Sequence, residues 1–253
     1  MKFREIFRFE FVYQARRVRT WLYFAILFAA AYQLQATASV GEVHVNSPFE
    51  IAQVTILTSL LWVVMAPAVA GSAAARDAQT RMQPLIYTAP ISKAEYLGGR
   101  FLAAFLLNAL MLLAVQLGML TALLRPAAYI SSYVVIALPT AFIFTAVQFS
   151  VAALKRRPIV SYLGTVLFFV TVGALGGLVT NVLQMRALGK LLDPTCRMNV
   201  LVLMDETMTP HEMNTVPIAL DSSILANRLL WLCLASAILL FTHVRFRFRD
   251  RAA

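Results

Sequence analysis

Charge is what this sequence has least of. Only 13% of its 253 residues are Asp, Glu, Lys or Arg, and 60% are hydrophobic. An ordinary soluble domain is about 25% charged and about 45–50% apolar. One globular core does not bury such an excess, so lipid is the expected solvent for much of the chain. Acidic residues are scarcer still, 12 against 22 Lys and Arg, giving a formal charge of +10. In a soluble protein that balance points to nucleic acid. Here the basic residues stand at the ends of apolar runs, not in a patch with interleaved aromatics. That placement suits a lipid bilayer with anionic headgroups, and no nucleic-acid partner is expected.

Other shortages exclude chemistries. Two cysteines, Cys196 and Cys233, support neither a disulfide framework nor a thiolate metal site, and Cys233 lies inside an apolar run. The segment "HEMNT", His211–Thr215, begins like H-E-x-x-H, but Thr215 stands where the second histidine is needed and Pro210 and Pro217 bracket it. No metal is expected. There is no G-x-x-x-x-G-K-[ST] phosphate loop and no G-x-S-x-G elbow. No clean apolar run holds a carboxylate or lysine, the groups through which ion-coupled carriers work. The chain is therefore expected to be no enzyme, to hold no cofactor, and to draw any energy it uses from elsewhere.

What the sequence has in quantity is long hydrophobic runs. A membrane crossing takes about 20 apolar residues. Six segments qualify: 21–40, 51–75, 101–124, 131–154, 159–185 and 224–244. Gln33 and Gln35 soften the first, and Asn227 and Arg228 the last, where Arg228 is expected to snorkel. With the N-terminus inside, 17 Lys and Arg fall on the inner side and 5 (Arg125, Arg186, Lys190, Arg197, Arg228) on the outer. The expected fold is an all-α integral membrane protein of six transmembrane helices in the cytoplasmic membrane, both termini cytoplasmic. Residues 1–20, "MKFREIFRFEFVYQARRVRT", read as an amphipathic interfacial helix with Phe3, Ile6, Phe7 and Phe11 on one side and Arg4, Arg8 and Arg16 on the other. Residues 186–223 form an extracytoplasmic loop and 245–253 a basic tail. Pro67 and Pro139 should kink their helices, and "GALGG", Gly173–Gly177, admits close helix approach.

The runs also carry uncharged polar residues. Gln53, Asn108, Gln116, Gln148 and Asn181 fit two readings, hydrogen bonds between helices or the lining of a substrate path. Between the second and third runs lies "RDAQTRMQPLIYTAPISKAEYLGGR", residues 76–100. Ser92 and Glu95 have capping-box spacing, which starts the next helix near Lys93, and Pro84 and Pro90 bracket "LIYTA". An amphiphilic element held on two rigid spans is a device for transmitting a push.

This organisation, with "LIYTAPISKAEYLGGRFL" closing the loop, resembles the type-2 ABC exporter permeases; Leu85, Pro90, Leu97, Gly99 and Arg100 match that family's pattern. "LLDP", Leu191–Pro194, and "NRLLWL", Asn227–Leu232, resemble a narrower group in which such a permease is fused to a zinc aminopeptidase. This chain carries no peptidase, so that activity does not transfer. The resemblance implies a separate ABC ATPase subunit that binds the ATP, and pairing with a second copy or a sister permease. It makes the loop 76–100 a coupling loop, with Arg76, Asp77 and Arg81 orienting, Leu85 and Tyr87 anchoring, and Pro84 and Pro90 shaping the turn. The N-terminal helix becomes an elbow that also touches the ATPase. The alternative is a non-transporting scaffold or assembly factor, since no substrate site is identifiable.

Overall fold

The computed structural model describes residues 2–37, 43–82, 84, 86, 88–120, 126–200, 208–218 and 221–248. These are helical, with no strand among them. In chain order the elements are α1 (Lys2–Ala15), α2 (Val18–Thr37), α3 (Pro48–Met65), α4 (Pro67–Gln79), α5 (Lys93–Leu120), α6 (Pro126–Ser132), α7 (Leu138–Lys155), α8 (Pro158–Gly177), α9 (Arg186–Leu192), α10 (Pro210–Thr215) and α11 (Ser222–Arg245). Proline opens several of them at a first-turn position, where the missing N–H costs nothing. Side-chain caps complete others. Ser47 accepts from Glu50 N at 3.1 Å, and Asp221 accepts from Ile224 N at 2.7 Å.

Among the described residues five segments are long and apolar enough to cross a membrane: Pro48–Gln79, Lys93–Leu120, Ala128–Lys155, Pro158–Val182 and Ser222–Arg245. The sequence predicts six. The difference is α2, whose 20 residues include Arg19, Gln33 and Gln35 and fall short in hydropathy. It nevertheless packs along α5. A Cβ added at Gly118 would lie 2.5 Å from the Phe28 carbonyl oxygen, so only glycine lets the two backbones meet there.

The prolines inside the spans are accommodated differently. Pro67 removes the N–H that would bond Val63 O; the chain stays helical through Ala66, and Gln148 Nε2 donates to that carbonyl at 3.3 Å. Before Pro139 the chain takes a π-helical turn, Tyr133–Ala137, which frees room for the ring. A second π turn, Leu178–Val182, closes α8. The core is built by α3, α4, α5 and α7, with Trp62, Phe144, Phe149 and Met111 fully buried. By contrast α8 is largely exposed, showing Leu163, Val166, Leu167 and Val170 on its surface.

Candidate functional site

The segment expected to couple begins inside a helix. α4 runs to Gln79 and ends in a Schellman turn: Arg81 takes the left-handed conformation (φ 55°) and Met82 N donates to Asp77 O at 3.0 Å. Arg76 and Asp77, expected on a docking surface, are therefore still on α4 and are buried, at 9% and 4% exposure. This corrects the sequence reading, which took two charges at the end of an apolar run for the start of a loop.

Their partners explain the burial. Glu10 on α1, fully buried, bridges Arg76, whose Nη2 lies 2.8 Å and Nη1 3.0 Å from its two carboxylate oxygens. Asp77 holds Arg100 of α5 at 2.6 Å and accepts from Tyr96 Oη at 2.8 Å. Arg100 also donates to Ala73 O at 3.1 Å and lies 3.9 Å from Glu10. Two carboxylates and two guanidiniums give a cluster of zero net charge, the condition under which buried ions are tolerated. Aromatic faces cover it: Tyr13 sits 4.4 Å from the Arg76 guanidinium and Tyr96 4.5 Å from that of Arg100. Burial raises the Glu10 carboxyl above its ordinary value, opposed by Arg100 and Arg76. Beside it, Gln14 bonds both Glu10 and Ser72, and Arg19 donates to Gln14 and Ser72.

Sequence supplies the seat for α1 as well. A Cβ at Gly99 would lie 3.0 Å from Ile6 Cγ2 and 3.1 Å from Phe3 O, so the "GGR" of α5 admits the amphipathic helix and then clamps it through Arg100. Glu10 and Tyr96 escaped the sequence reading. The signal was present: Glu10 falls on the Phe3–Ile6–Phe7–Gln14 stripe, and a lone carboxylate on an inward stripe demands a cation.

Beyond α4 the loop is exposed at Arg81, Met82, Pro84, Thr88 and Pro90. Ile86 N donates to Met82 O and Thr88 N to Pro84 O, both in helical i to i−4 register. Leu85 and Tyr87 lie outside the described residues. Lys2 Nζ reaches Pro90 O, tying the loop back to α1. At Ser92 both reciprocal bonds of a capping box are present: Glu95 N to Ser92 Oγ at 3.2 Å and Ser92 N to Glu95 Oε2 at 3.0 Å. The C-terminal segment docks here too, Phe246 and Phe248 packing on Tyr96 while Lys93 Nζ donates to Phe246 O at 3.3 Å.

The five polar residues of the apolar runs separate into two sets. Asn108 donates to Thr145 Oγ1 at 3.0 Å, Gln116 to Thr55 Oγ1 at 3.0 Å, and Gln148 to the carbonyl that Pro67 leaves open. These three are buried between helices and join them. Gln53 and Asn181 instead line cavities at the other end of the bundle.

At that end the structure brings together the two motifs that lie farthest from the loop. Asn227 Nδ2 donates to Lys190 O (2.8 Å), Leu191 O (3.1 Å) and Asp193 O (2.8 Å), satisfying the open carbonyls at the end of α9. Trp231 Nε1 donates to Leu191 O at 3.1 Å. Arg228 does not snorkel. It is 3% exposed and donates to Pro194 O at 3.1 Å, because that turn folds over it. "NRLLWL" is thus the cap of "LLDP". In "HEMNT", Glu212 closes a capping box with Thr209, and no group of three or more His, Cys, Asp or Glu able to hold a metal is found among the described residues. Cys196 is buried, which pushes its thiol up, and both cysteines are free.

Neither a protein-family model nor a curated protein matches the chain.

Proposed function

We propose that the chain is the membrane-spanning permease subunit of an ATP-binding cassette transporter of the type-2 exporter kind, moving its substrate with ATP hydrolysed by a separate subunit. The observation that carries this reading is the clamp. An amphipathic helix, the root of an exposed loop and the start of a long span are fused by Glu10, Arg76, Asp77 and Arg100 into one rigid unit. A force applied to the loop 81–91 is then delivered to α4, α5 and α1 together. In this reading Arg81, Pro84, Leu85, Tyr87 and Pro90 meet the ATPase, while Arg76 and Asp77 hold the loop's base. α2 is the remaining crossing, supported by its close packing on α5 at Gly118. That makes six spans with α1 in the inner headgroup layer and both termini in the cytoplasm. The transporter is then assembled from two such units, and the ATP belongs to the partner subunit.

The test is co-purification in mild detergent with the cognate nucleotide-binding subunit. Arg81→Glu combined with Tyr87→Ala should abolish recovery of the ATPase while the helical spectrum is unchanged. Recovery of the intact chain without any ATPase, or equal recovery with the double variant, overturns the reading and favours a scaffold.

A further inference from the structure

Two cavities lie along the exposed helix α8 where it faces α3, one of about 290 Å³ and one of about 110 Å³, and they share Leu60 and Phe169. The larger runs from Phe169 past Gly173, Gly176 and Gly177 to Asn181, a rise of about 18 Å for twelve residues. One leaflet of hydrocarbon is about 15 Å deep. The smaller cavity continues the same apolar trough toward Tyr162 and Pro67. Among the described residues nothing fills it: a Cβ at any of the three glycines would have no described atom within 4 Å.

The polar end of the trough is basic. Arg197 lines it, is exposed, and meets no carboxylate among the described residues. Arg186 and Lys190 stand on the adjoining α9, and Arg228 lies behind Pro194 with its Nε and Nη2 unpartnered. Of the described carboxylates at this end, Asp193 accepts from the main-chain N–H groups of Thr195 and Met198 and from the Thr195 hydroxyl, Asp221 accepts from the N–H of Ile224, and Glu50 is buried at the start of α3 with its Oε1 unpartnered. Of the cations that the sequence assigns to the outer side, Arg197 is the one on the wall of this cavity. Orientation of a membrane protein disfavours cations there, so an exposed arginine at the mouth of an apolar trough calls for another cause.

We propose that this trough binds an anionic phospholipid of the surrounding bilayer, one acyl chain lying along Gly173, Gly176 and Gly177 and the phosphate at Arg197, while the donors of Thr195 are taken by Asp193. The site depends on α8 lying in the membrane and not on any ATPase, so its failure leaves the transport reading standing. The experiment is native mass spectrometry of the purified chain with palmitoyl-oleoyl phosphatidylglycerol or the matching phosphatidylcholine. Phosphatidylglycerol should be retained preferentially. Arg197→Gln, at an exposed side chain, should lower that retention about fivefold, as expected for one interfacial charge, and leave phosphatidylcholine unaffected. Gly176→Leu, which fills open space, should lower both. Equal retention of the two lipids by the wild type, or unchanged retention in both variants, overturns the proposal. So does a loss of dimer mass in Gly176→Leu, because the trough would then be the seat of a second copy.

Discussion

The two ends of the helix bundle handle buried charge in opposite ways. At the α1 end, two guanidiniums meet two carboxylates, and helices far apart in sequence are joined by ions that neutralise one another. At the α9 end, Arg228 is just as buried but is held by a carbonyl and a hydroxyl, Pro194 O and Thr140 Oγ1, and two of its nitrogens have no partner. The first arrangement is closed and stiff. The second leaves a buried cation with no ion pair among the described residues. The contrast separates a mechanical joint from a binding surface.

The same substitution at each end tests this most strongly. Arg100→Met leaves Asp77 with Tyr96 at 2.8 Å and only the more distant Arg76 Nε at 3.8 Å in a buried site, and should cost about 3–5 kcal/mol. Arg228→Met removes a buried cation that was never neutralised, and should change stability by no more than about 1 kcal/mol in either direction. Thermal unfolding in one detergent gives both values. Equal losses would erase the distinction between the two ends.

The sequence states the local physics well and the long-range physics poorly. Proline at helix starts, the Ser92/Glu95 spacing and the apolar runs are short-range patterns; the helix after Ser92 begins at Lys93 as that spacing requires, and five of the six runs fall in segments long and apolar enough to cross a membrane. Arg76 and Asp77 were misplaced because hydropathy treats any charge as an exit from the membrane, whereas the residue that permits their burial is Glu10, 66 positions away. Gln148 is a similar case. Its role follows from the N–H missing at Pro67, 81 residues earlier, and composition alone does not distinguish it from Asn181, which lines a cavity. "LLDP" and "NRLLWL" were visible as motifs, but only folding shows that one caps the other.

That cap supplies a prediction of intermediate size. Asn227→Ala withdraws three hydrogen bonds, although Asn199 Nδ2, Trp231 Nε1 and Cys196 N still reach the same three carbonyls, and should cost about 1–3 kcal/mol. Hydrogen exchange should quicken across residues 186–194 and stay unchanged at Gly98–Arg100. A uniform acceleration would mean that the two ends are not independent units.

The smallest effect is a matter of sign. Burial raises the folded-state value of Glu10, so its contribution is fully present below about 4.5, the ordinary glutamate range, and is lost as pH rises through the folded value. Glu212 is the reverse. The N–H and hydroxyl of Thr209 hold its carboxyl down, so its contribution is present above that range and is lost as pH falls through the folded value. Acidification from neutrality should therefore tighten α1 on its seat before it loosens α10. Exchange rates at Ile6–Glu10 and at His211–Thr215, followed from pH 7 downward, should move in opposite directions. Glu10→Gln should flatten the first trend and Glu212→Gln the second. If both segments loosen together, the buried carboxylate at the α1 end is held by its two arginines more firmly than burial opposes it, and the clamp owes its strength to ion pairing alone.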